Sequence, residues 1–214
     1  MIAFSGLDGA GKSTQIELLK DYFEGQGGKV KYFWSRGGYT PGMQAFKDLM
    51  RKSSSKKMPS QGPSKERNQS FSNPVVRKIW LALAILDLMF FYGVYIRLKS
   101  LAGTTVICDR YLFDTSIDFK LNFPQEKIEN WYLWQLLCLV AVRPKKHFVL
   151  TITVAESQKR SKLKDEPFPD TEDTLNNRLR NYLDFVNKNK STSHIDCSSV
   201  INDVHNMILK ELIS

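Results

Sequence analysis

Gly6-Leu7-Asp8-Gly9-Ala10-Gly11-Lys12-Ser13 is a run whose residue types and spacing both carry chemical meaning. It satisfies GxxxxGK[ST]. Its glycines let successive backbone N–H groups curl round phosphate oxygens. A helix opening just behind them would add the positive end of its dipole. Lys12 would reach the outer phosphates of a bound nucleotide, and Ser13 would ligate Mg²⁺. Gly6, Gly9, Ala10, Gly11, Lys12, Ser13 and Thr14 are therefore the expected nucleotide-binding set. The string alone does not separate a kinase from an NTPase.

A second group of residues can act on the same phosphates. Asp109-Arg110-Tyr111 closes the apolar run TTVIC. In open α/β sheets, ligands gather at the carboxyl ends of strands. Asp109 can approach phosphate or Mg²⁺ there, and Arg110 can pair with a phosphate. Taken in isolation, the pair could equally be a structural ion pair. Asp8 is unusual in a phosphate cradle, because a carboxylate repels a triphosphate unless it points away. It suits a hydrogen bond from an acceptor hydroxyl, or a helix cap. Arg36 follows the second apolar run and is a further expected anion contact, with a plain surface arginine as the alternative. Lys159, Arg160, Lys162 and Lys164 form a dense basic run. A helix bearing Arg160 could bring a cation onto the transferring group as water leaves. Only arginine offers a fixed fork to two phosphate oxygens. The competing reading is a solvated lysine-rich face.

Those residues need strands and helices to hold them. Ile2–Ser5 reads as a first strand, the glycine run as a turn, and Ser13 to about Gln26 as a helix with Ile16, Leu19 and Phe23 on one face. Gly27-Gly28 stops it. Val30–Trp34, Thr104–Cys108, Phe148–Val154 and Ser193–Asp196 read as further strands. A helix is expected over residues 125–142, with Trp131, Trp134, Leu137 and Val140 packing, and another from about Val200. The alternation predicts an α/β domain: a mostly parallel central sheet with helices on both faces. Residues 1–214 form one domain in this reading, with a lid over about 157–170. Residues 51–74 hold seven serines, three prolines and six Lys/Arg, and predict a basic flexible loop.

Composition narrows the classes. The chain is 42% hydrophobic and 25% charged, which excludes a wholly disordered or fibrous protein. Its net charge of +9 favours polyanionic partners without choosing among them. Cys108, Cys138 and Cys197 stand far apart, and His147, His194 and His205 lack metal-ligand spacing. A reducing, cytoplasmic setting follows, and MIAFSGLDG has no basic region leading into an apolar targeting segment. IWLALAILDLMFFYGVYI, residues 79–96, carries only one charge, Asp87. At a bilayer centre an aspartate costs about 2.5–3.5 kcal/mol on insertion scales. A buried helix with Asp87 facing a cleft is expected instead of a membrane span.

Together the motifs resemble the thymidylate kinase family of P-loop nucleoside monophosphate kinases. The resemblance rests on FSGLDGAGKSTQ at 4–15, Arg36-Gly37-Gly38, VICDRY at 106–111 and the basic segment 159–164. It covers nearly the whole chain in order. It implies a P-loop kinase fold with a mobile lid, ATP and Mg²⁺ as donor and cofactor, and often a homodimer joined through apolar helices. It implies Asp8 near the acceptor sugar, Asp109 near Mg²⁺ and the reaction centre, and Arg110, with Tyr111 beside it, on the acceptor side. Ala10 stands where some members place an arginine, and in members lacking it the lid supplies one, which suits Arg160. HIDCSS at 194–199 resembles the segment bordering the donor adenine, which assigns Cys197 there.

Departures fall on the acceptor side. SRGGYTPG at 35–42 replaces the usual REPGGT. ALAILDLM at 82–89 carries Asp87 where members commonly place a phosphate-binding arginine. LFDTSIDF at 112–119 replaces a Tyr-Gln pair that helps to frame thymidine. Asp87, Tyr39 to Pro41, Asp114 and Asp118 would surround the acceptor. Asp87 should meet a hydroxyl or ring N–H, or pair with Arg77, Arg97 or Arg110, with a purely structural carboxyl as the alternative. The expected function is phosphoryl transfer from ATP to a monophosphate, with dTMP heading the acceptors. A kinase of another phosphorylated or sugar-containing metabolite stands second. A nucleic-acid-directed kinase or binding module, and a non-catalytic NTP-binding protein, represent other classes.

Overall fold

The computed structural model describes residues 1–35, 71–163, 170–189 and 191–213. Strand β1 (Ile2–Gly6) leads into helix α1 (Lys12–Gly25), and β2 (Lys29–Trp34) follows. A long helix, α2 (Pro74–Leu101), precedes β3 (Thr104–Asp109). Next come α3 (Leu112–Asn122), α4 (Tyr132–Val140) and β4 (Lys146–Thr151). The chain ends with α5 (Val154–Leu163), α6 (Glu172–Lys188), β5 (Thr192–Asp196) and α7 (Ile201–Ile213).

The five strands among the described residues are all parallel, in the order β2-β3-β1-β4-β5. Successive strand residues face opposite sides. Ala3 and Phe4 accordingly enter different cores, as do Ile107 and Cys108. One core gathers Phe4, Leu19, Phe148, Tyr182 and Ile208 with α1, α6 and α7. The other gathers Phe33, Leu81, Ile85, Tyr92 and Leu137 with α2 and α4. This is the α/β sheet of a P-loop kinase fold. The chain moves to one side of β1 first and to the other side afterwards. The crevice beyond the carboxyl ends of β1, β3 and β4 is therefore the place for a ligand.

Helix α2 is long and apolar enough to cross a membrane by length and composition. One stripe of it nonetheless belongs to the core, since Leu81, Ala84, Ile85, Leu88, Tyr92 and Ile96 are fully buried. Asn73 caps its start, its side chain accepting from the Val75 and Val76 amides at 2.9 and 3.4 Å, with Pro74 at the first helical position. The basic loop read over 51–74 therefore ends before Pro74, and its residues 51–70 lie outside the described residues. Between Phe90 and Tyr95 the helix widens to a π turn. That stretch puts the Phe91 and Tyr95 rings 5.1 and 6.2 Å from Phe33 on β2.

The helix read over 125–142 is shorter in the structure. Two 3-10 turns, Pro124–Glu126 and Ile128–Asn130, come first, joined by Lys127 at φ 45°. Trp131 is extended and caps α4 from outside, its indole N–H donating to the Glu126 carbonyl at 3.0 Å. A left-handed residue cannot continue a helix, so the apolar spacing overran the true start. The strand read over Phe148–Val154 likewise stops at Thr151, with Val154 already in α5.

Candidate functional site

The phosphate-type loop lies between β1 and α1, as its mechanism requires. Gly6 has φ 137°, and a Cβ there would sit 2.0 Å from the Leu150 carbonyl oxygen on β4. No side chain fits, so the turn leaves the sheet at a point only glycine allows. Gly9 has φ 78°, and a Cβ on it would come within 3.0 Å of the Arg160 Cβ. Ala10 is buried and its amide bonds back to the Leu7 carbonyl at 3.2 Å, tightening the loop. Gly11 caps α1, and Ser13 and Thr14 are exposed on its first turn.

Lys12 folds back into this loop. Its Nζ donates to the carbonyls of Gly6 at 3.0 Å and Leu7 at 2.8 Å, and lies 3.9 Å from Asp8. Burial, then the neighbouring Arg110 charge, push its pKa down, against the pull of Asp8, Asp109 and Asp114.

At the carboxyl end of β3, Asp109 and Arg110 face the loop. Asp109 pairs in register with Phe4 on one side and Trp34 on the other. Its Oδ2 accepts from the Tyr32 hydroxyl at 3.2 Å, while Oδ1 is buried without a hydrogen-bond partner among the described residues. Burial raises the Asp109 carboxyl pKa, opposed by Lys12 and Arg110. Arg110 has φ 72° and is bridged by Nη2 to the Asp8 carboxylate. Its Nη1 lies 3.7 Å from Asp114. Burial works against its charge, but Asp8 and the other acidic groups outweigh it and hold the guanidinium charged.

Helix α5 completes the cluster. The Ser157 hydroxyl donates to the Asp8 carbonyl at 2.7 Å, and Arg160 Nη1 donates to the Gly9 carbonyl at 3.0 Å. Arg160 Nε also pairs with Glu156 at 2.7 Å. Ser157 and Arg160 are three residues apart and share a helix face. Asp8, Lys12, Asp109, Arg110 and Arg160 thus converge on one loop. Cys197 follows β5 and is buried, its amide bonded to the Thr151 carbonyl at 2.8 Å and its thiol pushed up by burial to about 12.

Other expected residues lie elsewhere. Tyr111 turns inward: its hydroxyl donates to the Val142 carbonyl at 2.6 Å, and its ring lies 4.3 Å from Tyr92. Asp118 pairs with Arg178 at 2.7 Å, and Arg178 with Asp170 at 2.8 Å. Asp118 is thus held within the fold by a buried ion pair, with Arg178 shared between it and Asp170. Asp87 forms none of the ion pairs expected with Arg77, Arg97 or Arg110. Arg77 pairs with Glu126 at 2.5 Å, and Arg97 donates to the Val140 carbonyl at 3.1 Å. Burial alone raises the Asp87 carboxyl to about 6, and its Oδ2 has no hydrogen-bond partner among the described residues. Arg36, Tyr39 to Pro41 and residues 164–169 of the expected lid lie outside the described residues.

Beneath the loop is a polar network that motif spacing did not reveal. The Ser5 hydroxyl donates to Asp114 Oδ2 and lies 2.7 Å from His147 Nε2. Ser5 has one proton and gives it to Asp114, so His147 must donate from Nε2. Burial lowers the His147 pKa to about 4, which keeps the imidazole neutral. An unfolded histidine titrates near 6.5. The stability that this neutral ring supplies is complete above that pH and is lost as the pH falls through about 4. Urea unfolding between those pH values should show a loss of about 3 kcal/mol that His147→Gln lacks. An identical pH slope in both proteins would show that His147 is not the titrating group. Only Ser5's position inside an apolar strand hinted at this network; Tyr182 and Tyr32 reach the site across the fold and have no local signal.

No family model matches the chain. Among curated proteins it is similar to the thymidylate kinase of Bartonella henselae (strain ATCC 49882 / DSM 28221 / CCUG 30454 / Houston 1), with 28% identity over 168 residues, 77% of this chain and 68% of that one. This distant similarity agrees with the thymidylate-kinase-like resemblance carried by the motifs.

Proposed function

We propose that the chain is an ATP- and Mg²⁺-dependent phosphotransferase of the nucleoside monophosphate kinase type, acting as a single domain in the cytoplasm. The observation that carries this reading is the Asp8–Arg110 bridge, which ties the phosphate loop to the end of β3 with Lys12 behind it and Arg160 against Gly9. The distant thymidylate kinase relative supports the same reaction type. A phosphate oxygen of the acceptor attacks the γ-phosphorus of ATP, and the bond to the leaving ADP oxygen breaks. Lys12 and Arg160 neutralise charge on the transferring group, while Arg110 and Arg36 hold the acceptor phosphate. Cys197 borders the donor base.

The residues fit Mg²⁺. The buried Asp109 Oδ1 without a hydrogen-bond partner and the exposed Ser13 hydroxyl are hard oxygen donors of the type this ion takes. Bound there, the ion would offset negative charge on the phosphates of the donor. Val75, Ile79, Phe90, Val94 and Leu98 leave an exposed apolar stripe along α2, suited to a homodimer contact, which light scattering would test.

dTMP is the first acceptor to test. Asp87 favours a second reading, an acceptor with extra donors for a carboxylate, because its half-buried carboxyl meets no cation among the described residues. ATP consumption should be followed across all (d)NMPs, nucleosides and sugar phosphates, with each product identified. Transfer to dTMP at an efficiency normal for thymidylate kinases would refute the second reading. Asp87→Ala should impair the preferred acceptor and spare ATP binding; activity falling only with folded protein would make Asp87 structural. ATP binding without any transfer would replace the enzyme reading by a non-catalytic one. Strongly salt-dependent oligonucleotide binding would favour a nucleic-acid partner.

A further inference from the structure

Arg110 stands between two carboxylates of different character. Asp8 lies on the loop and its side chain is 32% exposed, whereas that of Asp114 is 1% exposed. Asp114 is held from several directions. Its Oδ2 accepts from Ser5 on β1 and from the Tyr111 amide at 3.0 Å, and its Oδ1 accepts from the Tyr182 hydroxyl on α6 at 2.8 Å. A carboxylate whose two oxygens are fixed by buried donors cannot swing toward a ligand without breaking the core. Asp8 has no such depth. Arg110 itself has a left-handed backbone that a non-glycine residue adopts at a cost, and its Nη1 makes no hydrogen bond among the described residues.

We propose that Asp114 is the positioning residue for Arg110, with Tyr182 as its anchor. This rests on the phosphotransferase reading above. An acceptor phosphate competes with Asp8 for the guanidinium, while Asp114 stays in place and keeps Arg110 aimed. The acceptor phosphate is thereby recognised through a guanidinium whose direction is set from α3 and α6, elements that carry no phosphate ligand of their own.

Tyr182→Phe removes one hydroxyl and keeps the ring, which packs 5.8 Å from Phe113. The expected result is a rise of about tenfold in KM for the best acceptor, a factor typical of losing one charge-assisted bond. KM for ATP should stay within about twofold, because α1 and α5, not α6, frame the donor phosphates. Asp114→Asn should show the same split more strongly, and Asp114→Glu should not restore it, since a longer side chain cannot keep all its donors. Should Asp114→Asn misfold, a double-mutant cycle of Tyr182→Phe with Arg110→Lys in urea reads the connection without turnover. Independent effects on unfolding there, or an unchanged acceptor KM in an active, folded Tyr182→Phe, overturn the assignment. If the wild-type chain transfers phosphoryl to no acceptor, the functional reading fails instead; that outcome is recognised before any variant is made.

Discussion

Lys12→Ala is expected to lower turnover at saturating MgATP by about 100- to 1000-fold, with little change in melting temperature. The activity loss follows from where the ammonium stands. It lies inside the loop, donating to Gly6 and Leu7 carbonyls and close to Asp8. A cation held in a site sheltered from water stabilises developing charge by roughly 2.7–4 kcal/mol, by analogy with other preorganised donors. The small stability change follows from two opposed effects. Alanine leaves two carbonyls without their donor, at roughly 1–3 kcal/mol each where no water reaches them. It also removes a buried cation whose charge is disfavoured by burial and by Arg110. Turnover near that of the wild type would refute the role of the lysine. A melting temperature lowered in step with activity would turn the loss into one of folding.

The loop was legible because its chemistry is local. Glycines, lysine and serine must be contiguous to wrap a phosphate, so spacing alone marks them, and the strand before and helix after confirm that the spacing has its mechanical setting. The parallel sheet was legible for a similar reason: strands buried on both faces read as short apolar runs. VICD and HFVL are such runs, and both became central strands. What failed to show was geometry made by distant segments. LFDTSIDF places Asp118 near the acceptor only through the family resemblance, and its ion pair with Arg178, sixty positions later, has no local signal. Tyr111 belongs to a motif, but its ring follows the aromatic cluster under the π turn of α2. The helix start placed too early, at residue 125, has a backbone cause, since apolar spacing is blind to a left-handed residue such as Lys127.

Arg160→Ala should lower kcat by about 30- to 1000-fold, corresponding to roughly 2–4 kcal/mol, while KM for ATP changes far less. Helix α5 is already seated on the loop through Ser157 to Asp8 and Arg160 to Gly9. The guanidinium therefore stands at the phosphate cradle without belonging to it, held along its own helix by Glu156. Its N–H groups beyond these two bonds among the described residues can turn to a transferring phosphoryl group at little cost, because the side chain is partly exposed and the Glu156 pair is a solvent-accessible one. As the bond to ADP breaks, charge develops on the leaving oxygen and spreads over the equatorial oxygens, so a fork placed there contributes most in the transition state and least in the ATP complex. Arg160→Lys should recover only part of the rate. An ammonium supplies charge but not the fork that spans two phosphate oxygens. Steady-state kinetics with both variants separate the possibilities. If kcat holds and only KM for ATP rises, Arg160 is a ground-state contact and the lid role assigned to α5 is wrong. If lysine restores the full rate, charge alone suffices and the geometry of the fork is irrelevant.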